Sequence, residues 1–195
     1  MKLTFSKLIF AACLPALSLA DTISVQTPMT NPSIGDTFTV DINATGITDL
    51  YAFQFDLTFD PTLLSAVSVT EGGFLPSGGT TFFIPGTVDN VGGDVAATAD
   101  SLIGNISGVT GAGILAEIQF TALAPGMSTL SFANEILLDS SLNDITANTT
   151  FQNGSLTING TTAAVPEPKT FPLLCLGLLA LIVIQRRKRG AGFYC

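Results

Sequence analysis

The sequence predicts an all-β fold, a two-sheet antiparallel sandwich of about nine short strands, and three observations carry that expectation. Apolar and polar residues alternate with period two along residues 21–158, and no stretch there sustains a helical period. Turn chemistry separates the alternating runs: Asn31-Pro32, Asp60-Pro61, Glu71-Gly72-Gly73, Gly78-Gly79, Gly92-Gly93, Gly111 to Gly113, Pro125-Gly126 and Asn153-Gly154. The body has no cysteine, and a chain of about 140 residues buries roughly two-thirds of its unfolded surface without a covalent staple.

Taken in order, a weak strand is expected at 22–26. Phe38, Val40 and Ile42 then alternate with Thr37, Thr39 and Asp41. The cleanest strand is the run in which Tyr51, Phe53, Phe55, Leu57 and Phe59 alternate with Ala52, Gln54, Asp56 and Thr58. One turn of helix is expected at 61–64, followed by weaker strands at 63–69, 81–84 and 95–98. Ile114, Ala116, Ile118 and Phe120 alternate with Leu115, Glu117, Gln119 and Thr121, and Leu130 with Phe132, then Leu156 with Ile158, continue the pattern. The inward aromatics Phe38, Phe53, Phe55, Phe59, Phe120 and Phe132 would form the core, each contributing about 2–3 kcal/mol by burial before side-chain entropy is charged.

Charge is fully partitioned. All seven Lys and Arg lie at positions 2, 7, 169 and 186 to 189, whereas all fifteen Asp and Glu lie between Asp21 and Glu167. Such a body repels nucleic acid and anionic membranes, which are held mainly by Lys and Arg, so nucleic-acid partners are set aside. Cys13, Cys175 and Cys195 all fall outside the body, which also lacks His. Ser/His and Cys/His catalysis and the usual zinc ligand sets are thereby excluded, leaving paired carboxylates as the one enzymatic chemistry by composition. The scattered placement of the carboxylates argues for a non-enzyme.

Both termini read as membrane-directed. Lys2 and Lys7 precede an apolar run over 8–19, and Ser18-Leu19-Ala20 puts small residues at a cleavage site between Ala20 and Asp21, making 1–20 a signal peptide. At the other end, Val165-Pro166-Glu167-Pro168 cannot continue a helix. An apolar run over 171–184 and the stop-transfer cluster Arg186, Arg187, Lys188 and Arg189 follow. The apolar run alone would cover about 21 Å as helix, short for a hydrocarbon layer of roughly 30 Å, so flanking side chains must snorkel. Residues 159–168 form the linker with the sorting motif, 169–189 the transmembrane helix with its basic cluster, and 190–195 a cytoplasmic tail.

This order of Pro-Glu-Pro, apolar run and cations resembles the PEP-CTERM sorting signal of Gram-negative bacteria. The resemblance implies an exosortase as processing partner and an inner-membrane-anchored intermediate, followed by the cell surface or extracellular matrix. A second resemblance lies in the body. Tyr51-Ala-Phe-Gln-Phe-Asp-Leu-Thr-Phe-Asp-Pro-Thr-Leu-Leu64 is similar to the cohesin pattern of an alternating strand, an Asp-Pro turn and a following Leu. Gly35 to Val40, Gly113 to Phe120, and Pro125-Gly126 with Ser128 to Phe132 fit neighbouring cohesin strands. The likeness covers most of 22–158 and implies a nine-stranded jelly roll shared with family 3 carbohydrate-binding modules.

Function is narrower than fold. A planar sugar platform wants exposed Trp or Tyr, but the body has no Trp and only Tyr51, which faces inward; Phe74, Phe82, Phe83 and Phe151 are the candidate exposed rings. No cofactor is required. Calcium is the best ion candidate, with Asp139, Asn143 and Asp144 offering oxygens from one loop, although the spacing is that of a polar turn rather than an EF-hand. Five Asn-x-Ser/Thr triplets, at Asn43, Asn105, Asn148, Asn153 and Asn159, match what chance gives in an Asn-, Ser- and Thr-rich chain. The leading reading is a non-enzymatic envelope or matrix protein that binds extracellular polysaccharide or another surface component. The alternative is a cohesin module that docks a secreted protein such as a dockerin domain.

Overall fold

The computed structural model describes residues 20–160. The sorting motif, the apolar run, the stop-transfer cluster and the apolar part of the signal peptide lie outside the described residues. The described chain forms nine strands: β1 (Thr22–Gln26), β2 (Thr37–Thr58), β3 (Leu64–Glu71), β4 (Thr87–Asp89), β5 (Asp94–Ser101), β6 (Val109–Ala122), β7 (Gly126–Asp139), β8 (Thr150–Gln152) and β9 (Gly154–Ile158). Two single 3-10 turns, Leu75–Ser77 and Thr146–Asn148, are the only helical elements among the described residues.

The two runs read as separate strands at 38–42 and 51–59 are one strand of 22 residues, β2. Its first half lies between β1 and β6, from Thr37↔Thr121 and Gln26↔Asp41 onward. Its second half lies between β5 and β7, with Ala52 opposite both Ser101 and Leu138. The outer strands β3 and β8 flank the first layer, and β4 and β9 flank the second. The expected pair of sheets is thus a single hydrogen-bonded sheet whose two halves pack over one core, joined through β2. β8 also departs from the all-antiparallel expectation, because it runs parallel to β1.

The changeover within β2 is built from two residues with positive φ, Gly46 (+73°) and Asp49 (+59°). Glycine adopts that region without a Cβ penalty, and aspartate is among the few side chains that tolerate it. Asp49 is held there by its carboxylate, which accepts hydrogen bonds from the Gly108 N–H at 2.7 Å and the Ser140 hydroxyl at 2.7 Å. One side chain therefore ties the bend to the loop before β6 and the loop after β7.

The aromatic phase holds where it matters. Phe53, Phe55, Phe59 and Phe120 are buried, while Phe38 and Phe132 pack partly buried against them. Phe55 stacks on Phe53 with ring centroids 5.8 Å apart and meets Phe132 edge-on at 5.7 Å, both geometries that the ring quadrupole favours. The phase fails at one point in β6. Ile42 pairs with Ala116 but Asn43 pairs with Ile114, so Leu115 is an extra residue, and it turns into the core while Ile114 is only half-buried.

The segment at 81–84 is not a full strand; it makes isolated bridges at Thr81↔Leu102 and Ile84↔Ala99 along the edge of β5. Where a turn of helix is expected after Asp60 the chain makes a hydrogen-bonded turn without helix, with the N–H groups of Leu63 and Leu64 both bonded to the Asp60 carbonyl at 3.1 and 2.9 Å.

Candidate docking face

The outward positions of β5, β2 and β7 form an open, unusually small-residue surface. Alternation puts Phe53 and Phe55 into the core, so Ala52 and Gln54 point out; pairing then sets Ser101 and Ala99 on one side and Leu138 and Ile136 on the other. Above the β5 edge stand Phe82 and Ile84, whose N–H groups bond to the carbonyls of Ser101 and Ala99 at 2.8 and 2.7 Å. Together these side chains line a groove of about 300 Å³ whose floor is small and whose walls are apolar. Phe82 is 63% exposed and Ile84 and Ile136 are also exposed, so the groove offers uncovered apolar surface on the second layer.

The groove is bounded along β2 by a polar clamp at Asp56. Each neighbour of β2 carries a bulge here: the β5 register slips between Phe55 and Leu57, and the β7 register between Gln54 and Asp56. The extra residues include Ala97 and Asn134, whose φ values are +55° and +51°. Asp56 accepts from the Ala97 N–H at 2.7 Å and from the Asn134 side-chain amide at 2.5 Å, bridging both bulges with one carboxylate. Bulges of this kind bend a sheet and re-aim its side chains, and here they curve the open face at the end of the groove.

With no Lys, Arg or His between 21 and 160, no ion pair compensates the carboxylates there, and hydrogen bonds stabilise several of them. Bonds from Ser140 and Gly108 lower the pKa of Asp49 below the usual carboxylate value. Asp60 is lowered by the Thr62 hydroxyl and N–H, and Asp89 by the N–H groups of Gly92 and Val91. Asp94 moves the other way, raised by burial and then by the negative charges of Asp56 and Asp89.

The loop expected to hold calcium is closed on itself. Asp139 accepts from the N–H groups of Ser141 and Asn143, both at 2.8 Å, and from the Asn143 side-chain amide at 2.9 Å. Asp144 accepts from the Thr146 N–H at 2.8 Å and so starts the 3-10 turn. These bonds lower both aspartate pKa values, and no group of three His, Cys, Asp or Glu suited to a metal occurs among the described residues. Of the four candidate sugar-stacking rings, Phe74 is buried, Phe83 and Phe151 pack partly buried against the core, and only Phe82 stands free. The two carboxyl groups brought into hydrogen-bond reach of one another, Asp100 and Glu71, do not form a glycosidase site, because Asp100 is 2% exposed and inaccessible to a sugar.

The sequence pointed to Phe82 as an exposed ring but missed the groove beneath it. The signal was in the alternation: Ala52 occupies an outward position in the run 51–59, where a solvent-facing strand more often carries Thr, Lys or Glu. Ile136 and Leu138 carried no alternation signal, because the bulge at Asn134 breaks the pattern before them.

The comparisons agree with this geometry. The cohesin domain family matches residues 22–158, and the PEP-CTERM protein-sorting motif matches residues 164–189. Among solved structures, the second type II cohesin module of an adaptor scaffoldin from Acetivibrio cellulolyticus is similar at 17% identity and TM-score 0.62, over 78% of this chain and 98% of that one. A non-cellulosomal cohesin from the archaeon Archaeoglobus fulgidus is similar at 16% identity and TM-score 0.58, over 75% and 96% of the two chains. A cohesin in a type I cohesin–dockerin complex from Clostridium thermocellum follows at 17% identity and TM-score 0.57, over 72% and 100%. No curated protein matches. The chain therefore belongs to the cohesin family, and its C-terminal motif marks it as an exported protein of the exosortase-sorted type.

Proposed function

We propose that this protein is a non-catalytic docking module of the cell envelope, and that the open face of β5, β2 and β7 receives a secreted protein partner of the dockerin type. The groove carries this reading: an uncovered apolar depression of about 300 Å³ on a rigid sheet, floored by Ala52 and Ala99 and walled by Phe82, Ile84 and Ile136. Small residues let a partner's backbone approach closely, and the apolar walls supply the desolvated centre on which protein interfaces depend. Solved cohesins of the same fold are described in complex with dockerins, which supports a protein as occupant.

Polysaccharide binding is the competing reading. It rests on Phe82 alone, a ring without the polar handle that makes Tyr and Trp good sugar platforms. Calcium at Asp139, Asn143 and Asp144 would have to displace the bonds that close the loop, so it belongs to this proposal as an added bridging ion rather than a resident one. In the proposed route the signal peptide is removed after Ala20, the C-terminal helix holds the chain in the inner membrane, and an exosortase acts at Val165 to Pro168. The test is affinity capture from the native secretome with wild-type protein and with Ile136→Glu. A dominant protein partner lost in the variant supports docking; retention on polysaccharide, equal in both, refutes it.

A further inference from the structure

Asp100 is the one carboxylate in the body that the fold buries almost completely, at 2% exposure. One of its oxygens, Oδ1, accepts from the Ser101 N–H at 2.8 Å, but Oδ2 is buried without a donor. A buried, unpaired carboxylate is costly, and the ordinary remedy, a neighbouring Lys or Arg, does not exist between residues 21 and 168. The group facing Asp100 is another carboxyl, Glu71, which ends β3 on the opposite layer. Across the ladder its register partner is Phe53, and its neighbours along β5 are Ala99 and Ser101, none of them charged.

Two carboxyl groups within hydrogen-bond reach are compatible when one of them keeps its proton. We propose that Asp100 keeps its proton and donates it in a hydrogen bond to Glu71, forming a pH-gated clasp that pins the segment from Thr80 to Ile84, and with it one wall of the groove, across the two layers.

Protonation would make the clasp a chain of bonds. Protonated Asp100 donates to Glu71, and Glu71 in turn accepts from the Thr81 hydroxyl, so the proton on β5 fixes a side chain on β3 and the segment beside it. Elsewhere the segment meets β5 only at isolated bridges, through the bonds of Phe82 to Ser101, the reciprocal pair between Ile84 and Ala99, and Ile103 to the Thr80 carbonyl, while Phe83 packs against the core. When the Asp100 proton leaves to solvent, two negative charges face each other with no cation to separate them. Glu71 is exposed and ends its strand, so it is the partner free to swing into water, and Thr81 loses its acceptor. Burial, and then the charge of Glu71, push the Asp100 carboxyl up to about 6, which places the change in the mildly acidic range.

The sign is that of a raised carboxyl. The clasp's contribution is complete below the ordinary aspartate value of 3.8 and is lost as pH rises through about 6. The inference rests on the docking reading only in naming Phe82 and Ile84 as groove walls, and its test needs no partner, so either can fail without the other.

The experiment is hydrogen exchange, corrected for intrinsic rates, on the full chain in detergent micelles at pH 5 and pH 8. The Phe82 and Ile84 amides should exchange about tenfold faster at pH 8 than at pH 5 in the wild type. Asp100→Asn keeps the shape and donates to Glu71 without titrating, so its exchange should be equal at both pH values. Glu71→Gln supplies the donor from the other side and should behave alike if the first variant fails to fold. Equal protection in the wild type at both pH values, or an unchanged pH response in either folded variant, overturns the proposal. So does a carboxyl-carbon NMR titration that puts Asp100 at the ordinary aspartate value.

Discussion

At the scale of single residues, the chain shows how a fold without basic side chains stabilises its acids. Asp49, Asp60, Asp89, Asp139 and Asp144 each accept N–H or O–H bonds within turns and bends, and each has a lowered pKa. A lowered carboxyl contributes stability that is present above its unfolded value and lost as pH falls through the folded one. Asp49→Asn should therefore be less stable than wild type near neutral pH, with the difference fading as pH falls through the lowered Asp49 value. Denaturant melts across pH check this, and a difference that persists undiminished in acid would contradict it. Asp100 contributes with the opposite sign, so the exported body should have its stability maximum in mildly acid solution. These roles were only partly legible beforehand. Asp60 and Asp139 were readable as turn formers from their neighbours, whereas the bridging by Asp49 and Asp56 depends on residues 41 to 91 positions away.

Among the elements, β2 decides the architecture. Its aromatic phase was readable because one face is buried along the whole run, and a slip of one residue would expose every ring. Phe55→Ala should cost about 3–5 kcal/mol, since the ring is buried and contacts both Phe53 and Phe132. A loss below about 1 kcal/mol in chemical denaturation would mean that the site collapses around the missing ring. The continuity of β2 was not readable: the segment Thr45-Gly46-Ile47-Thr48-Asp49 looks like a break, and only the positive φ values at Gly46 and Asp49 let the strand change layers without stopping. Bulges hid in the same way, because an extra residue at Leu115 or Asn134 inverts the alternation that sequence reading relies on. The β4–β5 turn was legible as Gly92-Gly93 and is tightly specified. A Cβ on Gly93, whose φ is +76°, would lie 2.3 Å from the Phe59 carbonyl oxygen. Gly93→Ala should thus destabilise by more than about 1 kcal/mol, read as a lowered denaturation midpoint.

On the scale of the whole molecule, the sequence divides into a cohesin body over 22–158 and a sorting motif over 164–189. The C-terminal motif was legible because its signals are local in sequence: proline geometry, an apolar run and four cations. Changing Pro166, Glu167 and Pro168 together to Ala should leave the protein membrane-retained and unprocessed, as judged by fractionation and the mass of the mature chain. Normal release of that variant would remove the sorting assignment. The proposed docking face was less legible, since it is assembled from three strands and one edge segment distant in sequence, and its outward residues are individually unremarkable alanines and isoleucines. The central claim is that this face, and no other, binds the partner. Its most direct test is the affinity of the protein captured from the native secretome, measured for wild type, for Ile136→Glu in the groove, and for Val67→Glu on exposed β3. Ile136→Glu should lose at least about tenfold in affinity, as expected for charge placed in a desolvated apolar centre, whereas Val67→Glu should bind like wild type. Equal affinity for all three proteins, or a loss confined to Val67→Glu, would contradict that claim.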